Sequence, residues 1–157
     1  MSLEIVALLG LHGRQYAELG GLLSSAFPAV PPQLLEVEVA RACEPRGGRG
    51  LVAVNVGQVA GVLVARRASA CLVFVLYLAT ARRCRRRGVA RTLVDRLAEM
   101  TGAPLELCAA DGNTAAERLY QAGGLIPDGG SAPAGQRRWS GTWQPASGAA
   151  SGVGVRS

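Results

Sequence analysis

The chain has 157 residues, 49% of them hydrophobic, which fits one ordinary domain with a sizeable core. Its longest apolar run, Ala68 to Ala81, falls short of the ~20 residues a membrane-spanning helix needs, and Met1 to Gly10 carry Glu4 but no basic cluster, unlike a signal peptide. The net charge of +6 is concentrated, because five of the six residues from Arg82 to Arg87 are arginine; such a cluster points to an anionic partner or to a solvated loop, and composition alone does not choose.

Leu3 to Leu9 reads as a first strand. Gly13 to Phe27 carries Tyr16, Ala17, Leu19, Leu22, Leu23 and Phe27 at helical spacing, weakened by Gly20 and Gly21. Pro28, Pro31 and Pro32 break that helix, and Pro32 suits the first turn of another, from about Gln33 to Ala42. A Pro/Gly loop follows. Leu51 to Val56 and Val59 to Arg66 read as strands of a tight hairpin linked by Gly57 and Gln58. Cys71 to Thr80 is an almost unbroken apolar run, which predicts a strand buried on both faces. Beyond the arginine loop, Val89, Leu93, Val94, Leu97 and Met100 share one helical face, and Gly102 and Pro104 stop the helix. Leu105 to Ala109 is short and β-like, and Thr114 to Ala122 is a second helix ended by Gly123 and Gly124. Leu125 to Pro127 and Arg137 to Trp143 close the domain as strands. The domain is placed at 1–144, and the Ala/Ser/Gly-rich residues 145–157 are read as a flexible tail.

The central unit is thus strand, loop, helix, strand, and such a crossover makes its two strands parallel. Arg85-Arg86-Arg87-Gly88-Val89-Ala90 lies at the carboxyl end of the first of them and opens directly into the helix. The first N–H groups of a helix lack internal partners, and the helix dipole adds positive potential there. Gly88 permits close approach of a ligand, Ala90 keeps the first turn uncluttered, and a pyrophosphate fits such a place.

Arg85-x-x-Gly88-x-Ala90 resembles the [Q/R]-x-x-G-x-[G/A] signature of the GNAT family of N-acetyltransferases. Asn113-x-x-Ala116-x-x-Leu119-Tyr120 is similar to the family's N-x-x-A-x-x-L-Y, and Gly124-Leu125 stands where the family has G-F. The resemblance covers Leu3 to Trp143 in element order, with specific motifs from Leu78 to Leu125. It implies an α/β fold: a single GNAT-like domain with a mixed, mostly antiparallel central sheet, one parallel strand pair and flanking helices.

The resemblance also implies acetyl-CoA as co-substrate, with no metal. Its pyrophosphate would rest on the main chain of Arg86, Arg87, Gly88, Val89, Ala90 and Arg91, with Arg85 tying down the loop. The pantetheine arm would run along Leu78, Ala79 and Thr80, and Asn113 matches a residue that contacts the coenzyme or the substrate-side loop. Asn is also a good helix cap, and Thr114 with Glu117 offers a capping box of its own. Tyr120 matches the family's general acid, since a phenol with a reference pKa of about 10 stays protonated at neutral pH; its alternative is a ring packed on the core. For the general base, Leu105-Glu106-Leu107 looks similar to the stretch that serves ribosomal-protein alanine acetyltransferases, although six positions separate Leu107 from Asn113, more than in those enzymes. Glu36 and Glu38 on the second helix read equally as a solvated face, and His12 as a cap or surface residue.

Cys43, Cys71, Cys84 and Cys108 form no C-x-x-C pair, which suits reduced thiols in a cytoplasmic protein and no zinc site. The acceptor is expected to be an amine: a small amine, an amino acid or a protein N-terminus. An aminoglycoside or polyamine ranks lower because acidic residues near the expected substrate loops are few. Two other classes stand beside this reading. One is a nucleic-acid binder, disfavoured because no aromatic residue interleaves with the arginines. The other is a catalytically silent coenzyme-binding relative. No membrane partner is expected, and a homodimer is compatible with the family.

Overall fold

The computed structural model describes residues 2–146. Seven strands form one sheet in the order β1-β2-β3-β4-β5-β7-β6. They span β1 Glu4–Ala7, β2 Gly48–Asn55, β3 Gln58–Ser69, β4 Leu72–Thr80, β5 Leu105–Ala110, β6 Ile126–Pro127 and β7 Gln136–Gly141. The four α-helices are α1 Gly13–Ala26, α2 Pro32–Ala42, α3 Val89–Thr101 and α4 Thr114–Ala122. All strand pairs are antiparallel except β4–β5, the parallel pair that the crossover through α3 requires.

Each face of the sheet carries its own apolar cluster. One joins Leu63, Val73, Val75, Leu105, Leu107 and Trp139 to α3 and α4 through Leu93, Val94, Leu97 and Tyr120. The other joins Val52, Val62, Val64 and Ala79 to α1 and α2 through Leu19, Leu23 and Leu35. Trp143 closes the first cluster from beyond β7: its indole packs where Gly123 leaves no room for a Cβ.

Three expectations are corrected. The first strand is shorter than Leu3 to Leu9, because a 3-10 turn takes Leu8–Gly10. The hairpin turn is Val56-Gly57 rather than Gly57-Gln58: both residues adopt positive φ, 50° and 76°, and Asn55 pairs with Gln58. Positive φ at both central positions matches the right-handed twist of the flanking strands. Finally, β4 begins at Leu72 and is not uniformly buried. Ala65 pairs with Val75 but Val64 with Tyr77, so Leu76 is bulged out. A bulge reverses which residues face which side. Before it Val73 and Val75 pack toward α3; after it Tyr77 and Ala79 pack toward α1 and α2, and Leu78 toward α3. Residues 147–157 of the expected tail lie outside the described residues.

Candidate active site

The β4–β5 ladder runs through Val73–Leu105, Phe74–Glu106 and Val75–Leu107, and ends there. The bulge at Leu76 follows immediately, so the two parallel strands diverge and one edge of Leu76 to Thr80 is left without a β5 partner. This is the stretch holding Leu78, Ala79 and Thr80. An unpaired strand edge offers main-chain donors and acceptors to an extended, amide-bearing ligand.

The arginine loop lies beyond that edge. A 3-10 turn spans Arg82–Cys84, with Cys84 buried. Arg83 pins the loop by donating from Nη2 to the Val59 carbonyl at 2.9 Å. Arg85, expected to do that work, is exposed and makes no side-chain hydrogen bond among the described residues. Arg86 and Gly88 both adopt left-handed φ, 64° and 77°. Gly88 caps α3, whose first helical bond is Thr92 N–H to the Gly88 carbonyl at 2.9 Å. The N–H groups of residues 86–91 therefore have no backbone acceptor among the described residues. Alternating left-handed residues aim successive N–H groups into a concavity that holds anions, and the helix dipole adds to it. Nearby, Gly61 of β3 lies so close that a Cβ there would meet Val89 Cγ1 at 2.7 Å, which seats the start of α3 against the sheet.

The Arg91 side chain is occupied elsewhere, lying 5.0 Å over the Trp143 ring and donating to the Gln144 carbonyl at 2.8 Å. Asn113 caps α4, its Oδ1 accepting from Ala116 N–H at 3.2 Å, so the Thr114–Glu117 capping box is not needed.

Tyr120 is 6% exposed, its ring 5.9 Å from that of Trp139. Burial pushes its hydroxyl up to about 12. The ring packs on the core, and the hydroxyl makes no hydrogen bond with the described residues.

Glu106 points to the sheet face opposite Leu105 and Leu107, as alternation predicts. It is not an isolated surface carboxylate, because Arg138 lies 3.6 Å away. Arg138 also binds Asp128 at 3.0 Å, and hydrogen bonds from Ser140, the Gly130 N–H and Arg138 hold the Asp128 carboxyl down at about 2. Glu106 pairs with Phe74, one step before the strands separate. Of the other acids, Glu36 is exposed, whereas Glu38 is buried, a distinction the sequence reading missed. The helical repeat held the signal, since Leu35, Glu38 and Ala42 fall on one face. His12 sits at the α1 cap, its N–H donating to Gln15 Oε1 at 3.1 Å. An apolar groove of about 520 Å³ between α1 and α2, lined by Tyr16, Gly20, Leu23, Leu35 and Val39, contains none of the motif residues.

An α/β domain with an N–H cradle at a helix start and a forked parallel strand pair belongs to the class that can hold a phosphate-bearing ligand on its main chain. The family model of the acetyltransferase (GNAT) family matches residues 16–124, and the chain belongs to that family. No curated protein matches it at a significant level. Among solved structures it is similar to an N-acetyltransferase, PaiA, of Thermoplasma acidophilum in complex with coenzyme A, at 12% identity and TM-score 0.70, covering 91% of this chain and 100% of that one. It is similar to the ribosomal-protein alanine N-acetyltransferase of Escherichia coli, at 16% identity and TM-score 0.71, covering 92% and 96%. An aminoglycoside 6'-acetyltransferase type Ii gives 16% identity and TM-score 0.73, covering 93% and 99%. At such identities the likeness is one of fold.

Proposed function

We propose that this acetyltransferase moves an acetyl group from acetyl-CoA to a primary amine by direct attack. The observation that carries the reading is the run of unpaired N–H groups at residues 86–91, set beside the open edge of β4. Its chemistry suits a pyrophosphate followed by an extended amide-bearing arm. The exposed Arg85, Arg86 and Arg87 raise the local concentration of an anionic ligand. The coenzyme A bound to the Thermoplasma acidophilum enzyme supports the same ligand here.

Under this reading the cradle binds the phosphates, and the main chain of Leu78, Ala79 and Thr80 pairs with the pantetheine arm. Backbone N–H groups near the fork stabilise the oxyanion formed when the amine attacks the thioester carbonyl. The C–N bond forms, the C–S bond breaks, and the departing thiolate takes a proton from the Tyr120 hydroxyl. Glu106, acting through water, is the proposed base for the proton lost by the amine. Asn113 holds the start of α4 and so positions Tyr120 seven residues on. The four free cysteines support a cytoplasmic setting.

Calorimetric titration with acetyl-CoA at low and moderate salt tests the reading. Micromolar binding that raises thermal stability supports it. Absence of binding at both salts overturns it and returns the arginines to a nucleic-acid partner.

A further inference from the structure

The loop that carries the cradle is fastened to three successive residues of β3. The Ala81 N–H donates to the Ala60 carbonyl at 2.8 Å, and Arg83 Nη2 donates to the Val59 carbonyl at 2.9 Å. At Gly61 a Cβ would meet Val89 Cγ1 at 2.7 Å, so the start of α3 rests there. In a regular strand neighbouring carbonyls point to opposite edges, so two in succession do not serve one loop. In β3 a bulge makes it possible: Ala53 pairs with Gly61 but Val54 with Val59, which leaves Ala60 unopposed. A bulge re-aims the backbone and is a frequent neighbour of active sites.

Glu18 reaches the same place from α1. Its Oε2 accepts from the Val59 N–H at 3.4 Å. The N–H and the carbonyl of one extended residue leave the strand on the same edge. Val59 is therefore held there by Glu18 on its donor and by Arg83 on its acceptor. Gln15, three residues earlier on α1, donates to the Gly57 carbonyl at 3.2 Å, so the helix is fastened along the start of β3. The Glu18 contact is a poor source of stability. It is long, and the other carboxylate oxygen, Oε1, is fully buried without a partner among the described residues. An unpaired buried oxygen costs free energy and calls for an explanation other than stability.

We propose that Glu18 is a positioning residue for the coenzyme. It holds the bulge at Val59 and Ala60 in the form that presents both carbonyls to the arginine loop. The loop then keeps the N–H groups of residues 86–91 aimed at the phosphates. A carboxylate has the wrong sign for a phosphate contact, so the effect of Glu18 on phosphate binding runs through Val59. Arg83 is the second half of the same brace, acting from within the loop. The proposal rests on the acetyl-CoA reading and deepens it, since it names a residue of α1 on which the cradle depends.

The test is calorimetric titration of acetyl-CoA into the full chain, wild type and variants, with urea unfolding of each. Glu18→Ala removes the brace together with the unpaired oxygen. Its acetyl-CoA affinity is expected to fall about tenfold while its stability is unchanged or higher. Glu18→Gln keeps an acceptor for the Val59 N–H and is expected to bind within about twofold of wild type. Arg83→Ala is expected to weaken binding as well, and Glu18→Ala with Arg83→Ala should lose less than the product of the two single losses, because both side chains act through one residue. Wild-type affinity in Glu18→Ala, a parallel loss of stability in it, equal losses in Glu18→Ala and Glu18→Gln, or losses that multiply in the double variant overturn the proposal. If the variants fail to fold, amide exchange in wild type decides: the Val59 and Ala81 N–H groups are expected to exchange more slowly with acetyl-CoA bound, and unchanged exchange at both overturns it. Failure of the acetyltransferase reading is distinguishable, because it appears as absence of acetyl-CoA binding by wild type itself.

Discussion

The indole N–H of Trp143 donates to Asp95 Oδ1 at 2.7 Å inside the core. The same Asp95 oxygen lies 3.4 Å from Arg91 Nε, and Arg91 stacks on the Trp143 ring. The segment after β7 thereby grips the first turns of α3, the helix that opens at Gly88. Trp143→Phe keeps most of the packing but leaves the buried Asp95 short of a donor. The expected loss is about 1.5–3 kcal/mol in urea unfolding, with a weaker grip on acetyl-CoA, because the turn that carries Arg91 is no longer held. A stability loss with unchanged acetyl-CoA affinity would show that the grip does not reach the cradle.

Backbone conformation and side-chain charge are separable in the cradle. Around Gly88 a Cβ meets nothing, so Gly88→Ala tests only its φ of 77°. An alanine there costs about 1–2 kcal/mol and rotates the N–H groups away from the ligand. Arg86 already bears a left-handed φ of 64° as a non-glycine residue. Arg86→Gly relieves that strain but loosens the unfolded chain, so stability is expected to stay within about 1 kcal/mol. Acetyl-CoA titration of the two variants should show a large loss for Gly88→Ala and a small, salt-dependent one for Arg86→Gly.

How much of this was readable in advance depends on the kind of signal. Helix α4 was legible to the residue, Thr114 to Ala122, because periodic apolar positions end in two glycines. The start of α3 at Val89 was legible because a glycine directly before an amphipathic run is a local feature. The turn at Val56 was not, since a β-branched residue at positive φ runs against local preference and is set by the register of the paired strands. The bulge at Leu76 was hidden in an unbroken apolar run, in which no polar residue marks the change of face. Glu106 and Arg138 are 32 positions apart in the chain, and only the β5–β7 register brings them together.

Tyr120 ties stability to pH. Its folded value is raised to about 12 from 10.0 by burial, so the folded state holds the proton more tightly than the unfolded chain does. The contribution is therefore complete below pH 10 and is lost as pH rises toward 12, by about 3 kcal/mol in all. Urea unfolding of Tyr120→Phe should lack this alkaline decline. In the acetyl-transfer assay the same variant should lose about 10²–10³-fold in kcat with unchanged acetyl-CoA affinity, as expected of an acid that protonates the thiolate. An undiminished kcat would leave the ring with a packing role alone.

Glu106→Gln separates proton transfer from the ion pair. The amide keeps the size of the side chain and a polar atom toward Arg138, so folding should survive. If Glu106 accepts the amine's proton through water, kcat falls about 10²-fold with acetyl-CoA affinity intact. Arg138→Gln supplies the control: it removes the ion-pair partner while leaving the Glu106 carboxylate, so a base role predicts that its kcat stays closer to wild type than that of Glu106→Gln. Equal losses in both variants would assign Glu106 to the Arg138 network only.

Cys108 stands two residues beyond Glu106 on the same sheet face, just past the point where β4 and β5 part, and is the thiol best placed to intercept an acetyl group. Nucleophilic attack requires the thiolate. Burial first, and then the Glu106 charge, raise the Cys108 thiol above its ordinary range, against a lesser lowering by Arg138. At neutral pH it is therefore a thiol, and the one histidine of the sequence, His12, stands at the start of α1 rather than on β5 or its neighbouring strands. Direct transfer then requires no covalent acetyl-enzyme. Cys108→Ala should retain kcat within about twofold, and initial-rate patterns should intersect rather than run parallel, as a ternary complex demands. Loss of activity in Cys108→Ala, together with a mass increase of one acetyl group on wild type incubated with acetyl-CoA alone, would replace direct attack with a two-step transfer through this cysteine.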